Sequence, residues 1–258
     1  MTERVSSEVV VEADAGILTI TIDRPEQRNA MTKSAAHEIA SALIRLDDDP
    51  DLRVGIITGS GGVFCAGMDL KRFKLGERPV VDGRGFGGLV QSPPEKPLIA
   101  AVEGWALGGG FELVLASDLV VAGESAKFGL PEVTRGLAAR AGGIFRAPRA
   151  LPRSVALELL LTGQPMTAEA AHRHGLLNRV VQDGKALDGA REIASAIAAN
   201  APMAVRATKA FALVSRTMTD AESFEAQGEY TDPVFSSEDA IEGSTAFVER
   251  RKPQWTGR

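Results

Sequence analysis

Residues 104–119 read GWALGGGFELVLASDL, three consecutive glycines followed by an acid, Glu112, inside the apolar run 111–116. An ionised carboxylate without partners is costly to bury, so Glu112 either turns to water or serves chemistry. A helix starting near Gly109–Gly110 would place Glu112 in its first turn. There the backbone N–H groups lack intrahelical partners and the helix dipole is positive. Glycines let a ligand oxygen approach those donors closely, which is the makeup of an oxyanion hole. A second turn, GSGGVFCAGMDL (59–70), ends in small residues before another helix start, with Asp69 in its first turn. Two such turns in parallel units can aim two donors at one oxygen. A third stretch, KFGLPEVTRG (127–136), fixes Glu132 directly after Pro131. Taken singly, each has an ordinary counterpart: a dipole-stabilised glutamate at a helix start, or a solvent-facing glutamate after a proline.

The elements that must position these residues alternate along the chain. GILTITIDR (16–24), RVGIITG (53–59), KPLIAAVEG (96–104) and SDLVVAGE (117–124) read as short strands bounded by turn residues. MTKSAAHEIASALIRLDDD (31–49) reads as an amphipathic helix capped by Thr32. Strand, glycine-bearing turn and helix recur as loosely similar units, which predicts α/β architecture with neighbouring parallel strands. From about residue 151 Ala- and Leu-rich helical patterns take over, and a helical C-terminal third without strands is expected. KLGERPVVDGRGFGGLVQSPPEKP (74–97) stands apart as a long Gly- and Pro-rich loop, either a plain surface loop or a lid beside a site.

Other chemistries find little support. Gly83–Gly88 matches G-x-G-x-x-G as a string, but Ser92-Pro93-Pro94 follows too soon for the helix a dinucleotide site needs. No P-loop or G-x-S-x-G string occurs. His172 and His174 lie two apart, off a common helix face, with no third ligand nearby, so no metal site is expected. His37 reads as solvated, and Cys65 as a small buried filler rather than a nucleophile. The net charge of −5 gives no support for nucleic-acid binding. A single cysteine agrees with a reducing compartment. No signal-like segment is visible, and no apolar run reaches the ~20 residues of a membrane span, so a cytoplasmic protein is expected.

Taken together the motifs are far more specific. They resemble the enoyl-CoA hydratase/isomerase, or crotonase, superfamily from about Asp14 to the C-terminus, most strongly over Arg53–Gly143. RPEQRNAM is similar to a CoA-contacting segment of that family, FCAGMDLK to its first oxyanion turn and ALGGGFELVLASD to its second. FGLPEVTRGL resembles the segment that carries its second acid. The resemblance implies an α/β fold, a spiral of repeated ββα units over residues 1–200. A helical C-terminal region over 201–258 would be used in trimerisation, giving a homotrimer or a hexamer. It implies an acyl-CoA substrate, with coenzyme A part of the substrate rather than a cofactor, and no metal.

By the same resemblance the backbone N–H groups of Met68 and Gly109 bind a thioester oxygen, and Glu112 and Glu132 are the two acids of the hydratase subgroup. Arg28, Ala30, Ala66, Asp69, Leu70, Lys71 and Gly108 fall on CoA- and substrate-contacting segments, with Lys252 and Trp255 as candidates to touch a neighbouring subunit's CoA. The implied reaction is reversible hydration of a trans-2-enoyl-CoA. Rival readings are an isomerase, a dehydratase of a specialised acyl-CoA, and a non-catalytic acyl-CoA-binding module. GLAARAGG (136–143) departs from the hydratase pattern, with Ala139 for a proline and Arg140 for a glycine. This makes Arg140 a candidate specificity residue.

Overall fold

The computed structural model describes residues 7–258. Its strands are β1 Val9–Asp14, β2 Ile17–Ile22, β3 Val54–Gly59, β4 Val80–Val81, β5 Gly85–Phe86, β6 Leu98–Val102, β7 Trp105–Leu107, β8 Leu119–Gly123, β9 Lys127–Gly129, β10 Met166–Thr167 and β11 Arg179–Val181. Its helices are α1 Lys33–Asp48, α2 Leu70–Lys74, α3 Gly109–Ala116, α4 Gly143–Ala150, α5 Arg153–Thr162, α6 Ala168–Arg173, α7 Ala186–Ala198, α8 Pro202–Val214, α9 Asp220–Phe235 and α10 Glu238–Glu249.

One sheet runs in the order β1-β2-β3-β6-β8-β11. Apart from the antiparallel β1–β2 hairpin its neighbours are parallel, as the strand–turn–helix alternation requires. Its two faces are covered by different helices. Thr32 caps α1 by accepting from Ala35 N, and α1 buries Ala35, Ala36, Ile39, Leu43 and Leu46 at helical spacing. On the other face Ala186, Ala190 and Ala194 of α7 pack against Ile17, Val54, Ile56, Ile99 and Val121. Small alanines let the helix lie close to β-branched strand residues.

A second sheet, β10-β9-β7, stands beyond the carboxyl ends of β3 and β6. Its β7 and β9 run parallel, and a bridge between Cys65 and Ala106 adds the turn after β3 to its edge. The glycine turns therefore converge where the large sheet ends and the small one begins.

The C-terminal third corrects the expectation of an all-helical region. β10 pairs with β9, and β11 extends the main sheet beside β8. These strands are two and three residues long, too short to show a period of two. Beyond them α8–α10 are helical, with Phe211 and Tyr230 packed at 5.3 Å between ring centroids. The 74–97 segment is neither a plain surface loop nor a free-standing lid. It folds back through the β4–β5 hairpin and buries Phe86, Leu89 and Val90 in the main core. Gly88, at φ +68°, lets its backbone lie against Ala36 and Ala40 of α1, so these glycines serve packing. Among the described residues no helix is long and apolar enough to cross a membrane.

Candidate active site

Three chain segments meet around the two glycine turns, held mainly by backbone hydrogen bonds. Ala66 N donates to Arg28 O at 3.0 Å, Met31 N to Gly67 O at 2.7 Å and Asp69 N to Met31 O at 3.0 Å. Cys65 N donates to Trp105 O and Leu107 N to Cys65 O, both at 3.0 Å, which ties the first turn to the second. Asn29, fully buried at φ +54°, accepts from Arg24 N and donates to Ser60 O and Val63 O. Arg24 bridges Glu8 and Asp69 from a nearly buried position. Neither Asn29 nor Arg24 stood out in the sequence, because, apart from contacts within residues 24–30, the partners that hold them in place lie 16 to 45 positions away.

The two turns approach so closely that side chains are excluded. Gly67 has φ +93°, and a Cβ there would stand 2.8 Å from Leu107 O and 3.3 Å from Gly109 N. At Gly109 a Cβ would enter the ring of Phe86, and at Gly110 the carbonyl oxygen of Cys65. Among the described residues the N–H groups of Met68 and Gly109 have no hydrogen-bond partner, whereas Gly108 N donates to Gly129 O at 2.8 Å. Gly109 opens α3, where an orphan N–H is inherent to the helix start.

Glu112 lies in the first turn of α3 and is only 3% exposed. Its Oε1 accepts from Gly143 N at 2.8 Å, so the carboxylate also sits on the N-terminus of α4. Burial dominates all the same. It pushes Glu112 up to about 7, with Glu132 acting in the same direction and Gly143 N and the Arg146 guanidinium opposing. Glu132, in the 3-10 turn Pro131–Arg135, is also pushed upward by burial. Its Oε2 is buried without a partner, and its Oε1 would stand 3.2 Å from a Cβ on Gly108. Because Glu112 N donates to Gly108 O, both acids flank that glycine. Two carboxyls raised by burial therefore stand on either side of one glycine in a partly dry site.

The remaining candidates divide by environment. Ala30 and Ala66 are half-buried at the junction of the first two segments, and Leu70, Lys71 and Arg28 are exposed beside it. Asp69 is engaged within the chain. Burial raises it, but the Arg72 N–H, Arg24 and the Lys71 N–H prevail and hold it below the usual range while it caps α2. Arg140 is exposed, and its φ lies outside the left-handed region, so replacing glycine with arginine strains no backbone there. Ala139 is buried against the position a Cβ on Gly143 would take. Burial pushes the Cys65 thiol up to about 12, which leaves it protonated. His172 Nδ1 is bonded to Leu177 O at 3.0 Å, and Trp255 donates to Ala199 O at 2.7 Å, both within the chain. Lys252, near the chain end, is exposed.

Known proteins resemble this chain in sequence and fold. The profile of the enoyl-CoA hydratase/isomerase family matches residues 12–258. The chain is 43% identical over 250 residues to a carnitinyl-CoA dehydratase of Proteus mirabilis, covering 94% of this chain and 95% of that one. It superposes on an enoyl-CoA hydratase from Mycobacterium tuberculosis with a TM-score of 0.96 at 50% identity, over 98% of this chain and 100% of the other. A carnitinyl-CoA hydratase from Mycobacterium avium matches with a TM-score of 0.79 at 46% identity, over 98% and 99%. With that fold, a spiral α/β architecture, and that profile across nearly its whole length, the chain belongs to the enoyl-CoA hydratase/isomerase (crotonase) family, among its hydratase and dehydratase enzymes.

Proposed function

We propose that this enzyme adds water reversibly across the 2,3 double bond of a trans-2-enoyl-CoA. The observation that carries this is the pair Glu112 and Glu132, both raised by burial and flanking a glycine turn whose Met68 and Gly109 N–H groups are free. In the hydration direction the pair holds one proton, placed on Glu132. The Glu112 carboxylate takes a proton from water as its oxygen bonds to Cβ. The π electrons shift towards Cα and the thioester oxygen, giving an enolate held by the Met68 and Gly109 N–H groups. Loss of one such donor typically costs about 3 kcal/mol of transition-state stabilisation. Glu132 then protonates Cα, which completes the addition of one water, and the proton on Glu112 is redistributed within the pair. Dehydration is the same path reversed.

On the same reading Arg28 and Lys71 meet the CoA phosphates, and Ala30, Ala66, Leu70 and Gly108 line its path. Asp69 serves by capping the helix that carries Leu70 and Lys71. The chain assembles as a homotrimer or hexamer through the helical region 201–258, and a single cysteine suits a cytoplasmic setting. No metal or separate cofactor takes part.

A second reading is favoured by the names of the relatives: dehydration of carnitinyl-CoA by the same acids. Arg140, on the loop between Glu132 and Gly143, is the residue to separate the two. A guanidinium there opposes a quaternary ammonium group and favours neutral or carboxylated acyl chains. The test is the rate on crotonyl-CoA, on a carboxylated enoyl-CoA and on carnitinyl-CoA, for the unmodified protein and Arg140→Gly. Turnover of at least one enoyl-CoA supports hydration. Turnover of carnitinyl-CoA alone establishes the second reading, and tight CoA binding without any turnover overturns both.

A further inference from the structure

The feature that the proposed chemistry leaves unused is Arg146, a half-buried cation at the end of the first turn of α4. Its guanidinium donates to Val90 O at 2.6 Å and to Ala141 O at 3.5 Å. It fills the place a Cβ on Gly142 would take, so the α4 N-cap, at φ +110°, is shaped around it. The next residue, Gly143, is the donor to Glu112. The same guanidinium therefore fastens the folded-back 74–97 segment, through Val90, to the turn that grips the acid.

We propose that Arg146 is a positioning residue for Glu112: pinned between Val90 and Ala141, it sets a permanent charge behind the α4 turn that holds the carboxylate. This deepens the hydratase reading and rests on it for its functional meaning. The charged groups around Glu112 come from two packed elements. Glu132, from the 3-10 turn, disfavours its ionised form, while Arg146, from α4, favours it. Arg135 in turn acts on Glu132, and Arg149 on Arg146. After the Gly143 and Ala141 backbone groups, Arg146 is the cationic side chain that favours the ionised form of Glu112. Arginine suits the position, because its planar fork reaches two carbonyls and stays charged when half-buried.

The test reads Glu112 directly. The side-chain carboxyl carbons are labelled with 13C, the Glu112 signal is assigned by its loss in Glu112→Gln, and pH titrations follow it in the unmodified protein, Arg146→Met, Arg146→Gln and Arg146→Lys. Two neutral variants are used so that poor folding of one does not remove the measurement, and thermal melting checks each. The expected result is an upward move of the Glu112 midpoint by about one pH unit in the neutral variants, largely reversed in Arg146→Lys. An unmoved midpoint in a folded neutral variant, or an equal move in Arg146→Lys, overturns the proposal. Because the titration needs no turnover, an inert protein with a responsive midpoint would sink the hydratase reading and leave Arg146's role intact.

Discussion

Glu112 meets two opposed demands, since the proposed reaction wants a carboxylate that ionises near neutrality and the fold wants no charge there. The energetic consequence has a definite sign. Its value is about 7 in the folded chain against 4.5 for an ordinary glutamate, so between those pH values the folded state holds the extra proton. Stability therefore falls as pH rises through that window, and above pH 7 the full penalty stands, on the order of 3 kcal/mol. Glu112→Gln keeps an oxygen for the Gly143 N–H and removes the charge. It is predicted to raise stability at pH 8 by about 2 kcal/mol, with little gain at pH 5, while lowering turnover at least about a hundredfold. Denaturant melts at the two pH values check this; a variant destabilised at pH 8 would contradict it. Both acids were legible in the sequence because glycine turns and a proline mark their places within a few residues. Arg146 was not, since its bonds to Val90 and Ala141 are visible only once the 74–97 segment folds back.

At the scale of elements, the site depends on two backbones lying closer than any side chain permits. Gly110 has no room for a methyl group because the Cys65 carbonyl occupies it, and Gly109 is covered by Phe86. Gly110→Ala is expected to destabilise the protein by about 2 kcal/mol and to lower turnover by separating the Gly67–Met68 turn from Gly109. Urea melts and steady-state rates would show it; a variant as stable and active as the parent would refute the close-approach account. Gly109→Ala is expected to regain part of its lost stability when paired with Phe86→Leu. The main strands and α1 were readable from periodicity and the Thr32 cap. The small β10-β9-β7 sheet was not, because segments of two or three residues carry no period and take their structure from partners elsewhere.

For the whole molecule, the helices beyond residue 201 leave large apolar side chains in water: Phe224, Phe235 and Phe247 are 76%, 82% and 85% exposed. A surface of that kind agrees with the proposed homotrimer or hexamer. Replacing Phe235 and Phe247 together by Asp is predicted to shift the sedimentation coefficient from a trimer or hexamer towards monomer without melting the core; a monomeric parent protein would contradict this. Composition gave the helical character of this region but no sign of which faces stay open, since that depends on how α8–α10 pack on one another. The proposed hydration turns on the two acids, and it is tested by following loss of the enoyl thioester absorbance of crotonyl-CoA with the unmodified protein, Glu112→Gln and Glu132→Gln. Turnover by the parent and a fall of at least about a hundredfold in each variant are expected. A parent that hydrates crotonyl-CoA while either variant keeps its full rate would contradict it.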